Sequence, residues 1–138
     1  MSGEDNGTIH RGSCLCGAVK FEAVGDTRWV AHCHCRSCQK ATGAAFATYS
    51  GYERSRVTFS GEERAIISSS PGVKRGFCRT CGSAMSYESE RWADEVHLFV
   101  TQFDDPDAFR PAAHVYMADS PDWLHIGDDL PKFEKFSG

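Results

Sequence analysis

Seven cysteines in three tight groups constrain this chain more than any other feature: Cys14-x-Cys16, Cys33-x-Cys35-x-x-Cys38 and Cys78-x-x-Cys81. The first residues, Met1 to Thr8, are polar and acidic with no apolar stretch of the kind a secretory leader needs, which points to a cytoplasmic setting. There thiols stay reduced, and clustered C-x-C and C-x-x-C units indicate metal ligation rather than disulfides. An odd count also leaves a disulfide framework one partner short.

Spacing distributes the ligands. In an extended strand, residues two apart face the same side about 6.6 Å apart, near enough for both thiolates to reach one Zn²⁺ through bonds of about 2.3 Å. Cys14 and Cys16 can share an ion in this way. Cys33 and Cys35 align likewise, His32 and His34 turn to the opposite face, and the turn through Arg36 and Ser37 returns Cys38 to the same side. Cys78-Arg-Thr-Cys81 followed by Gly82 reads as a knuckle that supplies two more sulfurs. Joined to Cys14 and Cys16, it completes a four-thiolate structural site and leaves Cys33, Cys35 and Cys38 as a three-thiolate site.

Zinc with three protein ligands keeps a position for water or substrate, the arrangement of a catalytic ion. The expectation is therefore two Zn²⁺ per chain, one closed and one open. A histidine (His32, His34, His97, His114 or His125) closing the second site is the alternative, and a bridged binuclear cluster is a further one. Three thiolates make zinc a weak Lewis acid but a good holder of another thiolate, so a thiol substrate suits the open site. Such a thiol would be kept nucleophilic near neutral pH, ready to add to a carbonyl carbon.

The remainder of the chain reads as a mainly β domain with short helical turns. Val19, Phe21 and Ala23 alternate with Lys20, Glu22 and Val24, and Val96, Leu98 and Val100 alternate with His97, Phe99 and Thr101. Short helices are expected at residues 37–42, stopped by Gly43, and near residues 104–109. Residues 51–56 and 68–72 read as loops from their Gly, Ser and Pro content. The tail from Asp128 to Phe136 is expected to close over the core through Leu130, Phe133 and Phe136, with Pro131 preventing a regular helix. With 138 residues the chain fits one domain, residues 9–138, behind a disordered leader at residues 1–8.

No stretch approaches the roughly 20 apolar residues of a membrane span. A net charge of -4 gives no general attraction to nucleic acid or anionic lipid. The basic cluster of Lys74, Arg75 and Arg79 reads as solvated loop charge. His114 is a weak acid–base candidate, and Trp123, Phe46, Phe99 and Tyr87 read as core or pocket wall. Arg36 and Lys40 lie near the trio and can attract carboxylates, although solvation is their expected role. Asp104 and Asp105 read as loop capping before Pro106.

Taken together, Gly12-Ser-Cys-Leu-Cys-Gly-Ala-Val-Lys-Phe21, His32-Cys-His-Cys-Arg-Ser-Cys-Gln-Lys-Ala-Thr-Gly43 and Phe77-Cys-Arg-Thr-Cys-Gly-Ser83 resemble the glutathione-dependent formaldehyde-activating enzyme (GFA) family. The likeness continues through Asp104-Asp-Pro106, His114-Val-Tyr116 and Pro121-Asp-Trp123. Leu15 departs from it, standing where many members carry His. The resemblance implies an Mss4-like, β-tent zinc-binding fold. It also implies a structural zinc on Cys14, Cys16, Cys78 and Cys81 and a catalytic zinc on Cys33, Cys35 and Cys38. The implied activity is carbon–sulfur lyase chemistry, or synthesis of S-(hydroxymethyl)glutathione in reverse, on a glutathione-type thiol and a small aldehyde. Two other readings stand beside the enzyme: a zinc-folded protein-binding module, as among centromere protein V-type relatives, and a redox switch through a Cys35–Cys38 disulfide.

Overall fold

The computed structural model describes residues 7–136, so most of the expected leader lies outside the described residues. Ten strands dominate: β1 (Ile9–Ser13), β2 (Val19–Val24), β3 (Trp29–Cys33), β4 (Ala47–Glu53), β5 (Val57–Gly61), β6 (Ala65–Ser70), β7 (Val73–Phe77), β8 (Ala84–Ser89), β9 (Glu95–Phe99) and β10 (His114–Val115). One α-helix is described, α1 (Arg36–Thr42). The architecture is mainly β, as the period-two patterns predict.

Two sheets form. One has the order β1-β2-β5 and the other β10-β3-β4-β9-β8-β7-β6. Within β2, Val19, Phe21 and Ala23 are all but fully buried while Lys20 faces solvent, so the alternation read from sequence is the burial pattern itself. These three meet Tyr52, Met85, Val96 and Leu98 of the larger sheet, together with Phe103 and Phe109. Each fully buried side chain of this size contributes roughly 1.5–3 kcal/mol. The strand β9 is buried along its whole length because it lies in the middle of the seven.

Three expectations are corrected. Residues 51–53 are strand, not loop: β4 continues to Glu53, and Gly51 is required there because a Cβ would strike the Trp29 indole. A 3-10 turn follows at Arg54–Arg56. Residues 68–70 finish β6, an edge strand with a register shift, so only Pro71 and Gly72 form the turn. The tail closes through backbone rather than through a buried apolar face. His114 N–H donates to Pro131 O (2.9 Å), Phe133 N–H to His114 O (2.9 Å) and Met117 N–H to Phe133 O (2.9 Å), while Phe136 stays 45% exposed.

The expected helix at 37–42 is present one residue longer. Cys35 is its N-cap, accepting from Cys38 N–H on its sulfur, and Gly43 at φ 70° ends it in the left-handed conformation. Near residues 104–109 there is a 3-10 turn, Pro106–Ala108, with Pro at its start and no side-chain cap. Among the described residues no helix is long and apolar enough to cross a membrane.

Candidate metal centres

The strand ends deliver the cysteines. Cys14 and Cys16 sit in the tight turn between β1 and β2 rather than along an extended strand, with Gly17 N–H donating to Cys14 O (3.1 Å). Cys78 and Cys81 occupy the corresponding turn between β7 and β8, where Gly82 N–H donates to Cys78 O (2.8 Å) and Gly82 holds φ 80°. The four sulfurs lie within 4.8 Å of one another. Cys14 and Cys16 are 3.6 Å apart, Cys16 and Cys78 3.8 Å. Backbone N–H groups of Val19 and Cys81 point at the sulfurs of Cys14 and Cys78, a donor pattern that suits thiolates. The Ser83 hydroxyl and backbone N–H hold the Cys81 thiol down to about 5. Because β1 and β2 belong to one sheet and β7 and β8 to the other, this cluster joins the two sheets.

Cys33, Cys35 and Cys38 form the second cluster, also within 4.8 Å of one another. Cys33 ends β3, Cys35 caps α1 and Cys38 lies one turn inside it, so a strand-to-helix junction makes the half-cage. Cys38 is 3.0 Å from Cys35 and 3.7 Å from Cys33. Hydrogen bonds from Cys33 and Cys35 hold its thiol far below the ordinary range, with Tyr49 and Arg75 adding to the effect. Among the described residues no histidine shares this cluster. His34 instead turns away and meets His114 at 2.9 Å, and His97 pairs with Glu95 at 2.9 Å.

Sequence reading missed two side chains here. Tyr49, on β4, donates its hydroxyl to Cys38 Sγ at 3.4 Å and is buried. Arg75, read as solvated loop charge, is half-buried on β7, lies over the Tyr87 ring at 4.9 Å and contacts both Tyr49 and Cys38. It is thus a half-buried cation beside the Cys38 sulfur. Nothing local in the sequence marks either residue, because pairing of β4, β9, β8 and β7 carries them to the trio.

Outside α1 a groove of about 390 Å³ is lined by Arg36, Gln39, Lys40, the 43–45 turn, Pro121 and Trp123. Trp123 is 70% exposed, a wall of this groove and not core. None of the three cysteines lines it, although α1 carries residues to both the groove and the trio.

A family model described as glutathione-dependent formaldehyde-activating enzyme matches residues 9–119. The chain belongs to that family. A GFA relative from Halomonas elongata, provisionally named a glutathione-dependent formaldehyde-activating enzyme, is 35% identical over 126 residues, covering 83% of this chain and 79% of its own. A Schizosaccharomyces pombe protein named an uncharacterised lyase is 24% identical over 124 residues, covering 90% of each chain. A Rhodobacter sphaeroides protein of known crystal structure superposes with a TM-score of 0.57 at 23% identity, over 68% of this chain and 87% of that one, a likeness of fold. GFA membership therefore spans all three cysteine groups.

Proposed function

We propose that the chain is a zinc-dependent carbon–sulfur lyase that joins the thiol of glutathione to a small aldehyde such as formaldehyde, giving S-(hydroxymethyl)glutathione, and splits the adduct in reverse. The observation that carries this reading is the three-cysteine centre, which no histidine joins among the described residues, in a chain of the GFA family. Cys33, Cys35 and Cys38 would hold one zinc and Cys14, Cys16, Cys78 and Cys81 another of structural role. The bound ion with three thiolates would accept the substrate sulfur in its remaining position and keep it deprotonated near neutral pH.

In the forward direction a sulfur lone pair forms the C–S bond, the carbonyl π pair moves to oxygen, and that oxygen takes a proton. Arg75, the half-buried cation that contacts Cys38, would meet the negative charge that develops on oxygen, while the Tyr49 hydroxyl is donated to Cys38 Sγ. The N–H groups of residues 43–45, an alternative source of oxyanion donors, are mostly committed: Gly43 donates to Gln39 O (2.7 Å) and Ala44 to Thr42 Oγ1 (3.3 Å). Arg36 and Lys40 in the groove beside α1 offer cations to the carboxylates of a tripeptide. Both centres need reduced thiols, which fits a cytoplasmic protein.

The test is formaldehyde exchange with glutathione, followed by magnetisation-transfer NMR on ¹³C-formaldehyde with zinc-loaded protein and its Cys38→Ser variant. Acceleration beyond the spontaneous rate, lost in the variant, supports the enzyme. No acceleration by fully loaded protein moves the reading to a zinc-folded protein-binding module.

A further inference from the structure

On β3 the residues alternate, so the face opposite the thiolates carries His32. It stacks on the His114 ring at 4.7 Å, and His114 in turn holds Asp128 through Nε2, at 3.0 and 3.1 Å from the two carboxylate oxygens. One ligand atom each from His32, His114 and Asp128 lies within 4.8 Å of the others. We propose that these three residues form a further metal site, for a divalent transition ion of the zinc class, on the side of β3 away from the cysteines. The inference is independent of the proposed enzyme activity.

The ring nitrogens not facing the site are already partnered. His32 Nδ1 lies 2.7 Å from Thr48 Oγ1, and His114 Nδ1 lies 2.9 Å from His34 Nε2. That leaves the Nε2 atoms of His32 and His114 for an ion, each imidazole braced through its other nitrogen, as metal-bound histidines are. The brace on His114 can reverse. With Nε2–H donated to Asp128, His114 accepts at Nδ1 from His34; with Nε2 given to an ion, it donates from Nδ1 to His34 instead. His34 Nδ1 is buried and has no partner among the described residues, so no competing hydrogen bond there fixes the His34 tautomer against that change. Neither tautomeric arrangement gains or loses a proton overall.

Two imidazoles and one carboxylate are a borderline donor set that suits zinc, with a fourth position left for water. Tetrahedral bonds of this kind place ligand atoms about 3.4 Å apart. The His114–Asp128 pair is already near that separation, and the His32 nitrogen, within 4.8 Å of both, would have to move in to close the remainder. The Asp128 side chain is 44% exposed, which gives an ion entry from solvent, and the competing cation Lys132 lies only 3.9 Å away. Because His32 is on β3, His114 on β10 and Asp128 on the tail, an ion here would add a tie to three segments already joined by backbone hydrogen bonds, the His32–His114 stack and the His114–Asp128 pair.

The test is a Co²⁺ titration of protein whose thiolate centres are filled with zinc, read by absorption and by metal analysis after gel filtration. One further equivalent is expected, with ligand-field bands but no sulfur-to-cobalt charge-transfer band. Asp128→Asn should weaken it roughly 10–100-fold, and a combined Asp128→Ala and His32→Ala variant should abolish it, with the thiolate-bound zinc unchanged as the control for folding. Absence of the extra equivalent, its appearance with a thiolate band, or its retention at unchanged affinity in both variants would overturn the proposal.

Discussion

The hydroxyl of Tyr49, on the strand β4 that pairs with β3, donates to the sulfur of Cys38 at 3.4 Å, and the Arg75 guanidinium lies against both. A donor and a cation therefore offset part of the charge that three thiolates bring to one ion. Removing the donor in Tyr49→Phe should weaken zinc at this centre roughly 10-fold while sparing the four-cysteine centre. Chelator competition, which resolves the two zinc losses kinetically, checks this.

The two cysteine clusters should differ in what their loss does. Cys81→Ser opens the cluster that joins the sheets and should lower the unfolding free energy by more than about 3 kcal/mol. Cys38→Ser should lose one zinc with a smaller effect on stability. Zinc content and thermal unfolding of the two variants decide the matter, and equal destabilisation would contradict the assignment.

Arg36→Glu with Lys40→Glu should raise the KM for glutathione by roughly 10-fold with kcat little changed, because both cations lie in the groove beside α1 and not at the trio. Steady-state kinetics in glutathione at fixed formaldehyde reads the split. A fall in kcat alone would place the tripeptide elsewhere.

Burial pushes the His34 imidazole down to about 4, with the neighbouring His114 and His32 adding to the shift. A folded-state value below the ordinary one means that the unfolded chain binds the proton more readily. The stabilisation is thus complete above about pH 6.5 and is lost as pH falls from there toward 4. Denaturant unfolding of the zinc-saturated protein across this window should show a steeper loss than His34→Asn.

Gly51→Ala should destabilise by about 1–3 kcal/mol, since the added methyl meets the indole of Trp29 on the paired strand. Chemical denaturation reads this directly. Replacing Trp29 by a smaller residue in the same chain should recover part of the loss.

Much of the candidate site was legible in the sequence because its ligands are local. Cys33, Cys35 and Cys38 span a single strand-to-helix junction, and the glycine after Cys81 announced its turn. The pairing of Cys14 and Cys16 with Cys78 and Cys81 followed from counting thiolates, although the first two reach it through a turn and not an extended strand. Tyr49 and Arg75 were invisible, because only sheet register brings them to Cys38. The His34–His114–Asp128 chain was hidden for the same reason: it depends on β10 lying parallel to β3. Gly51 and the serines of β6 misled in another way. Their loop-like composition is overridden by a packing need in one case and an exposed edge position in the other.

The two cysteine centres also make different demands on an unfolded chain. The trio closes within residues 33–38, a loop short enough to grip an ion before any sheet exists, whereas the contact from Cys16 to Cys78 spans 62 residues and waits on both sheets. Metal supply during synthesis would then fill the three-cysteine cluster first and the four-cysteine cluster last. A chain starved of zinc late in folding would carry a charged, ion-loaded fragment with no body around it, and refolding yield would depend on when zinc is added as well as on how much.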